Sequence, residues 1–126
     1  MTGENADLIN RLAAATKSSR ELDVEIALVE HPWLKDCPRN DVDGDPGWMT
    51  KHGRTYPSRY TEFVDSALEL VPEGLLIAIT IWLGTTIVRL RTGGILDPAT
   101  KEWEASSKDT AIAIVIASLM AREGKP

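Results

Sequence analysis

The chain reads as an α+β domain in which an antiparallel meander and hairpins pack with helices as an α-β-α sandwich. Three observations predict it. Apolar residues recur at helical spacing over 5–16, 61–71 and 108–122. Two apolar runs, 75–83 and 85–92, alternate with a period of two and turn about Gly84. Between these stretches stand turn clusters, "PEG", "GG" and "DPAT", too short for a parallel crossover. With 126 residues, 43% apolar and 26% charged, residues 1–126 are expected to form one globular domain.

The elements follow in order as α-α-(ββ)-α-β-β-β-α. Leu8, Ile9, Leu12 and Ala13 make one face of a short helix. Ser18 and Glu21 form a capping-box pattern before a second, which Pro32 ends. Residues 30–60 hold four of the seven prolines and three of the nine glycines. They read as a loop with extended pieces at 46–50 and 53–57, turned at "KHG". Thr61 is expected to cap a third helix, with Phe63, Val64, Ala67, Leu68 and Val71 as its apolar stripe. The hairpin 75–92 and a strand at 102–105 follow. Ser106 or Ser107 then caps a final helix, apolar on most sides and therefore buried.

The net charge of −5 argues against a duplex nucleic-acid partner, since phosphates demand a basic surface. The run "LLIAITIWLGTTIVRL" is too short and too β-branched for a membrane helix. "MTGENADLIN" carries acids where a leader would be basic. The expected setting is cytoplasmic, with no membrane partner. A single cysteine, Cys37, leaves no intrachain disulfide and reads as a packing residue.

No cofactor fingerprint appears, and no catalytic residue is assigned. The acids Asp41, Asp43 and Asp45 in "DVDGD" lack the glycine and glutamate spacing of a calcium loop. They read as a solvated turn, so no metal site is expected. His31 and His52 flank Cys37, but no glycine-rich turn presents the thiol.

Basic and aromatic residues are the stronger signal. On the second hairpin strand Arg89 and Arg91 share one face, and Trp82 on the first strand faces the same way. Trp103 on the third strand is expected nearby. The opposite face, with Ile77, Ile79 and Ile81, is expected under the helices. "WMTKHGRTYPSRY" reads as a hairpin anchored by Trp48, bringing Lys51, His52, Arg54, Tyr56, Arg59 and Tyr60 over the same site. Guanidinium groups bind phosphates bidentately and aromatic faces stack on bases, so these residues suit a small anionic, nucleotide-like ligand.

"YPSRYTEFVDSALELVPEGL", with the meander and alanine-rich last helix that follow, resembles the phage α-β-α sandwich domain proteins. The opening "LINRLAAATKSSRELDVEIALVEHPW" is similar to how those proteins begin. Members commonly carry an aromatic after "PEG", where this chain has Leu75. The resemblance implies a phage origin and a fold, and transfers no catalytic residue. The expected function is therefore a small phage accessory protein, a non-catalytic homo-oligomeric module that sequesters a nucleotide-type host defence signal of the cyclic nucleotide or cyclic ADP-ribose kind. Two alternatives stand beside it: a module that inhibits or adapts a host protein, and an enzyme cleaving a nucleotide or phosphodiester.

Overall fold

A computed structural model describes residues 5–93 and 100–123. The fold is α+β, with helices α1 (Ala6–Ala14), α2 (Arg20–Glu30), α3 (Val64–Leu68) and α4 (Thr110–Arg122) and a 3-10 turn at Pro32–Asp36. Strands β1 (Trp48–Thr50) and β2 (Gly53–Thr55) form a small hairpin, and β3 (Leu76–Trp82), β4 (Thr85–Arg91) and β5 (Glu102–Ser107) form an antiparallel meander. The element order matches the expected one. The turns expected at Gly93–Gly94 and Asp97–Thr100 fall largely outside the described residues.

Helix α4 is the centre of the molecule. Every residue from Ala111 to Leu119 is buried, because β4 and β5 cover one side while α1 and α3 cover another. Asp109, and neither Ser106 nor Ser107, caps it, accepting from the Ile112 amide at 3.1 Å. The α2 cap likewise falls one residue later than the capping-box pattern placed it. Ser19 accepts from the Leu22 amide, and Ser18 is exposed.

Helix α3 is much shorter than its apolar stripe suggests. Thr61 does not cap it; it is fully buried and bonded to Asp23. Only Ala67 in α3 and Leu70 just beyond are buried, while Phe63, Val64 and Leu68 stay exposed.

In the main sheet, Ile77, Ile79 and Ile81 register with Leu90, Val88 and Thr86, which register with Trp103, Ala105 and Ser107. These nine side chains form one face. Helix α4 seals its β4 and β5 parts, leaving Val88 and Leu90 fully buried. The expectation that helices also cover the β3 isoleucines fails. A helix is about 10 Å wide and strands are about 4.8 Å apart, so one helix covers about two strands. The third strand lies beyond it, with Ile79 41% and Ile81 66% exposed. The other sheet face carries Arg89, Arg91, Glu102 and Glu104 and is open.

Candidate functional site

The region from Arg39 to Tyr60 is ordered from its own polar groups. In the β1–β2 hairpin Trp48 registers with Thr55 and Met49 with Arg54. The Thr50 hydroxyl accepts from the His52 amide at 3.1 Å and donates to the Gly53 carbonyl at 2.8 Å, closing the turn. Trp48 is buried and does anchor the hairpin, with the Arg39 guanidinium 5.7 Å from its ring centroid.

Arg54 points inward. Its Nε donates to the Asn40 carbonyl and its Nη2 to the Asp45 carbonyl, both at 2.9 Å. It holds the preceding loop together and is not displayed to a ligand. Its guanidinium also lies 5.5 Å from the Tyr56 ring centroid, so it props the exposed Tyr56 ring.

The acidic turn is correspondingly structural, against the expectation that solvent alone surrounds it. Asp41 accepts from the Gly47 amide at 3.2 Å and from Arg39. Asp45 accepts from Arg20 at 3.1 and 3.2 Å. Asp43 alone is a plain turn residue, exposed at φ 51°. The Gly47 amide, helped by Arg39, holds the Asp41 carboxyl below the usual carboxylate range. A depressed folded-state value gives stability that is complete above about pH 3.9, the unfolded value, and is lost as pH falls through the folded one. Asp41→Asn should therefore lower stability at neutral pH and flatten its decline below about pH 4. Urea titrations across pH 2–7 check this; parallel curves for both proteins would assign Asp41 to solvent.

Beneath the hairpin, residues from α2, the 3-10 turn and the segment after β2 enclose a cleft of about 210 Å³. Its aromatic lining comprises His31, Trp33, Tyr56 and Tyr60, with Pro57 and Ser58 beside them. Trp33 and Tyr56 are each more than half exposed, and the His31 and Trp33 rings lie 6.0 Å apart, tilted by 56°. Tyr60 is the buried wall; burial pushes its hydroxyl pKa up and keeps it neutral. Arg59 stands between the lining residues Ser58 and Tyr60 in an exposed ion pair with Glu62 at 3.3 Å. Such a pair contributes under about 1 kcal/mol, so the cation can exchange its carboxylate for a phosphate at little cost. A larger cavity of about 400 Å³ lies between α2 and the loop, but its arginines are committed, Arg20 to Asp23 and Asp45, Arg39 to Asp41.

The expected ligand residues therefore separate into two groups. Tyr56 and Tyr60 line the cleft, and Arg54 props Tyr56 from behind. Arg59, a chain neighbour of the lining residues Ser58 and Tyr60, is paired with Glu62 and is not itself in the lining. Neither β1 nor β2 packs substantially against β3, β4 or β5, so the hairpin does not close over Trp82, Arg89 and Arg91. Trp103 is buried on the inner face and cannot join the arginines. Arg89 is paired with Glu104 at 2.7 Å and lies near Glu102 at 3.7 Å, which neutralises it. Arg91 is partly buried, and its Nε has no hydrogen-bond partner. Trp82 shares the arginines' face but stands four residues, about 14 Å, along β3 from the residue opposite Arg89.

Trp33 is the lining residue that pattern reading overlooked. Its one signal was a large aromatic directly after the helix-ending Pro32, where a polar residue would serve as well. His31 lines the cleft, yet no bond links it to Cys37, whose thiol lies 3.9 Å from the Trp33 carbonyl. Among the described residues no cluster of three or more histidines, cysteines or carboxylates could hold a metal ion, and no helix is long and apolar enough to cross a membrane. Comparison of the chain with protein-family models, with curated proteins and with solved structures finds no match.

Proposed function

We propose that this protein is a non-catalytic binding module that sequesters a small anionic, nucleotide-type ligand in the aromatic cleft. One observation carries the reading: two aromatics, Trp33 and Tyr56, stand more than half exposed on the walls of a single cleft. Rings left in water in this way lose the burial that stabilises most aromatics, and a planar base stacking on them restores it. A volume of about 210 Å³ suits one ring system, leaving the sugar and phosphate outside. There Arg59, next in the chain to the lining residues Ser58 and Tyr60, is the cation proposed to meet the phosphate. The resemblance to phage α-β-α sandwich proteins supports a phage origin, and the reading extends to a homo-oligomer working in the host cytoplasm against a cyclic nucleotide or cyclic ADP-ribose-like defence signal.

A thermal-shift screen against cyclic dinucleotides and cyclic ADP-ribose isomers tests the reading. Binding to the folded state at a hundred times Kd adds about 2.7 kcal/mol, a shift of several degrees. Tyr56→Ala should weaken the binding found by about five- to a hundredfold, as expected for one base stacked on an aromatic ring. Arg59→Ala should weaken it by about tenfold or more. The ligand should return with unchanged mass on denaturation, because sequestration alters no bond. A flat screen would pass the cleft to a protein partner, and a ligand recovered cleaved would make the protein an enzyme.

A further inference from the structure

We propose that the free edge of β3 pairs with the β3 edge of a second copy of this chain, antiparallel, making one continuous six-stranded sheet. Among the described residues no strand occupies that edge. Native proteins protect open edges with charges, proline, bulges or short length. Strand β3 has none of these: "LIAITIW" is seven residues long, and residues 75–84 carry no charge.

Hydrogen-bond parity favours self-pairing. Leu83 and Gly84, at φ 51° and 79°, form the two-residue turn between β3 and β4. The pair closing such a turn, Trp82 with Thr85, is hydrogen-bonded, and bonded pairs alternate along the ladder. Backbone groups of Leu76, Ala78, Thr80 and Trp82 therefore face β4. Those of Ile77, Ile79 and Ile81 face outward. A two-fold axis at Ile79 sets Ile79 against its own copy and Ile77 against Ile81, so each outward group finds a partner.

The side chains point to the same occupant. Both faces of β3 are uncharged, one of them wholly aliphatic and the other apolar but for Thr80, so a reversed copy matches it on either side. The absence of charge lets two chains of net charge −5 meet there without like charges in contact. Leu76, Ile77, Ile79, Ile81, Trp82 and Leu83 are all exposed, Trp82 by 69% and Leu83 by 88%. Together they offer several hundred Å², close to the roughly 800 Å² per partner of a specific interface. Leu83 also occupies a left-handed position that usually goes to Gly, Asn or Asp, an unusual place for an exposed leucine unless its side chain has a task.

The pairing also gives the Arg91 side chain an aromatic neighbour. Within one chain, Trp82 and Arg91 sit at opposite ends of the sheet's open face. Reversal of the second β3 sets its Trp82 beside Leu76, the cross-strand neighbour of Arg91. The second copy's indole then lies two strand spacings, about 10 Å, from the Arg91 backbone, within reach of a long guanidinium side chain. The pairing does not depend on the cleft or its ligand.

Light scattering after gel filtration should give twice the 13.8 kDa chain mass at micromolar concentration. Ile79→Lys places two ammonium groups at the axis and should return the single-chain mass with an unchanged circular dichroism spectrum. In a Cys37→Ser background, Leu76→Cys with Trp82→Cys should give a covalent dimer on mild oxidation. The two positions are about 20 Å apart along one β3, so the link can form only between chains. A wild-type monomer would overturn the proposal, as would an Ile79→Lys dimer or a dimer that the paired cysteines fail to link.

Discussion

Asp23→Ala is expected to cost about 3–5 kcal/mol, a large loss for a single polar side chain. Asp23 lies in the first turn of α2 and is 1% exposed. Its Oδ1 accepts from the Thr61 amide at 2.9 Å and the Thr61 hydroxyl at 2.8 Å, while Oδ2 takes Arg20 at 2.9 Å. The Thr61 hydroxyl in turn accepts from the Ser19 amide at 2.9 Å. One carboxylate thus ties the start of α2 to the chain entering α3, 38 residues away. Removing it leaves the buried Thr61 amide and hydroxyl without this acceptor. It also takes from Arg20 the more buried of its two carboxylates, Asp45 being the other. Unpaired buried groups incur their full desolvation penalty. The melting temperature should fall by roughly 10–20 °C. Thr61→Val keeps the amide bond and should cost only about 1–2 kcal/mol. The double variant should fall short of the sum, because both changes break the same network. A loss under about 1 kcal/mol for Asp23→Ala would show that water replaces the carboxylate.

The same residues show where sequence reading stops. Periodicity placed α1, α2, α4 and the β3–β4 hairpin to within a few residues, because each is specified by its own apolar spacing. It could not place Thr61. A threonine before an apolar run is an ordinary cap signal. What overrides it is a carboxylate on another helix, with no local trace in the sequence. Nor could alternation tell an edge strand from a central one. The isoleucines of β3 and the Val88 and Leu90 of β4 give the same pattern, and only the width of α4 decides which are covered. For the site, residue types were legible and their commitments were not. Arg54, Arg89 and Arg59 look alike in the sequence, yet one is built into a loop, one is neutralised by Glu104, and one keeps an exchangeable surface partner.

Arg54→Ala turns that distinction into a measurement. A ligand-facing arginine can be removed with little effect on stability, whereas one built into the fold cannot. Arg54 donates at 2.9 Å to two carbonyls of the 38–47 loop, and the backbone at Gly47 packs directly against it. A Cβ at position 47 would lie 2.7–2.9 Å from the guanidinium, so any larger residue there must push this side chain out of its present place. Hydrogen bonds to charged groups contribute about 1.5–3 kcal/mol each, and the freed carbonyls recover part of that from water. The expected loss is about 2–3 kcal/mol, with faster amide exchange confined to residues 39–56. Gly47→Ala should loosen the same segment from the other side of the contact. Arg59→Ala should change stability by under about 1 kcal/mol while abolishing most ligand binding. If Arg54→Ala melts as the wild type does and Arg59→Ala does not, the two assignments are reversed, and Arg54 belongs to the ligand.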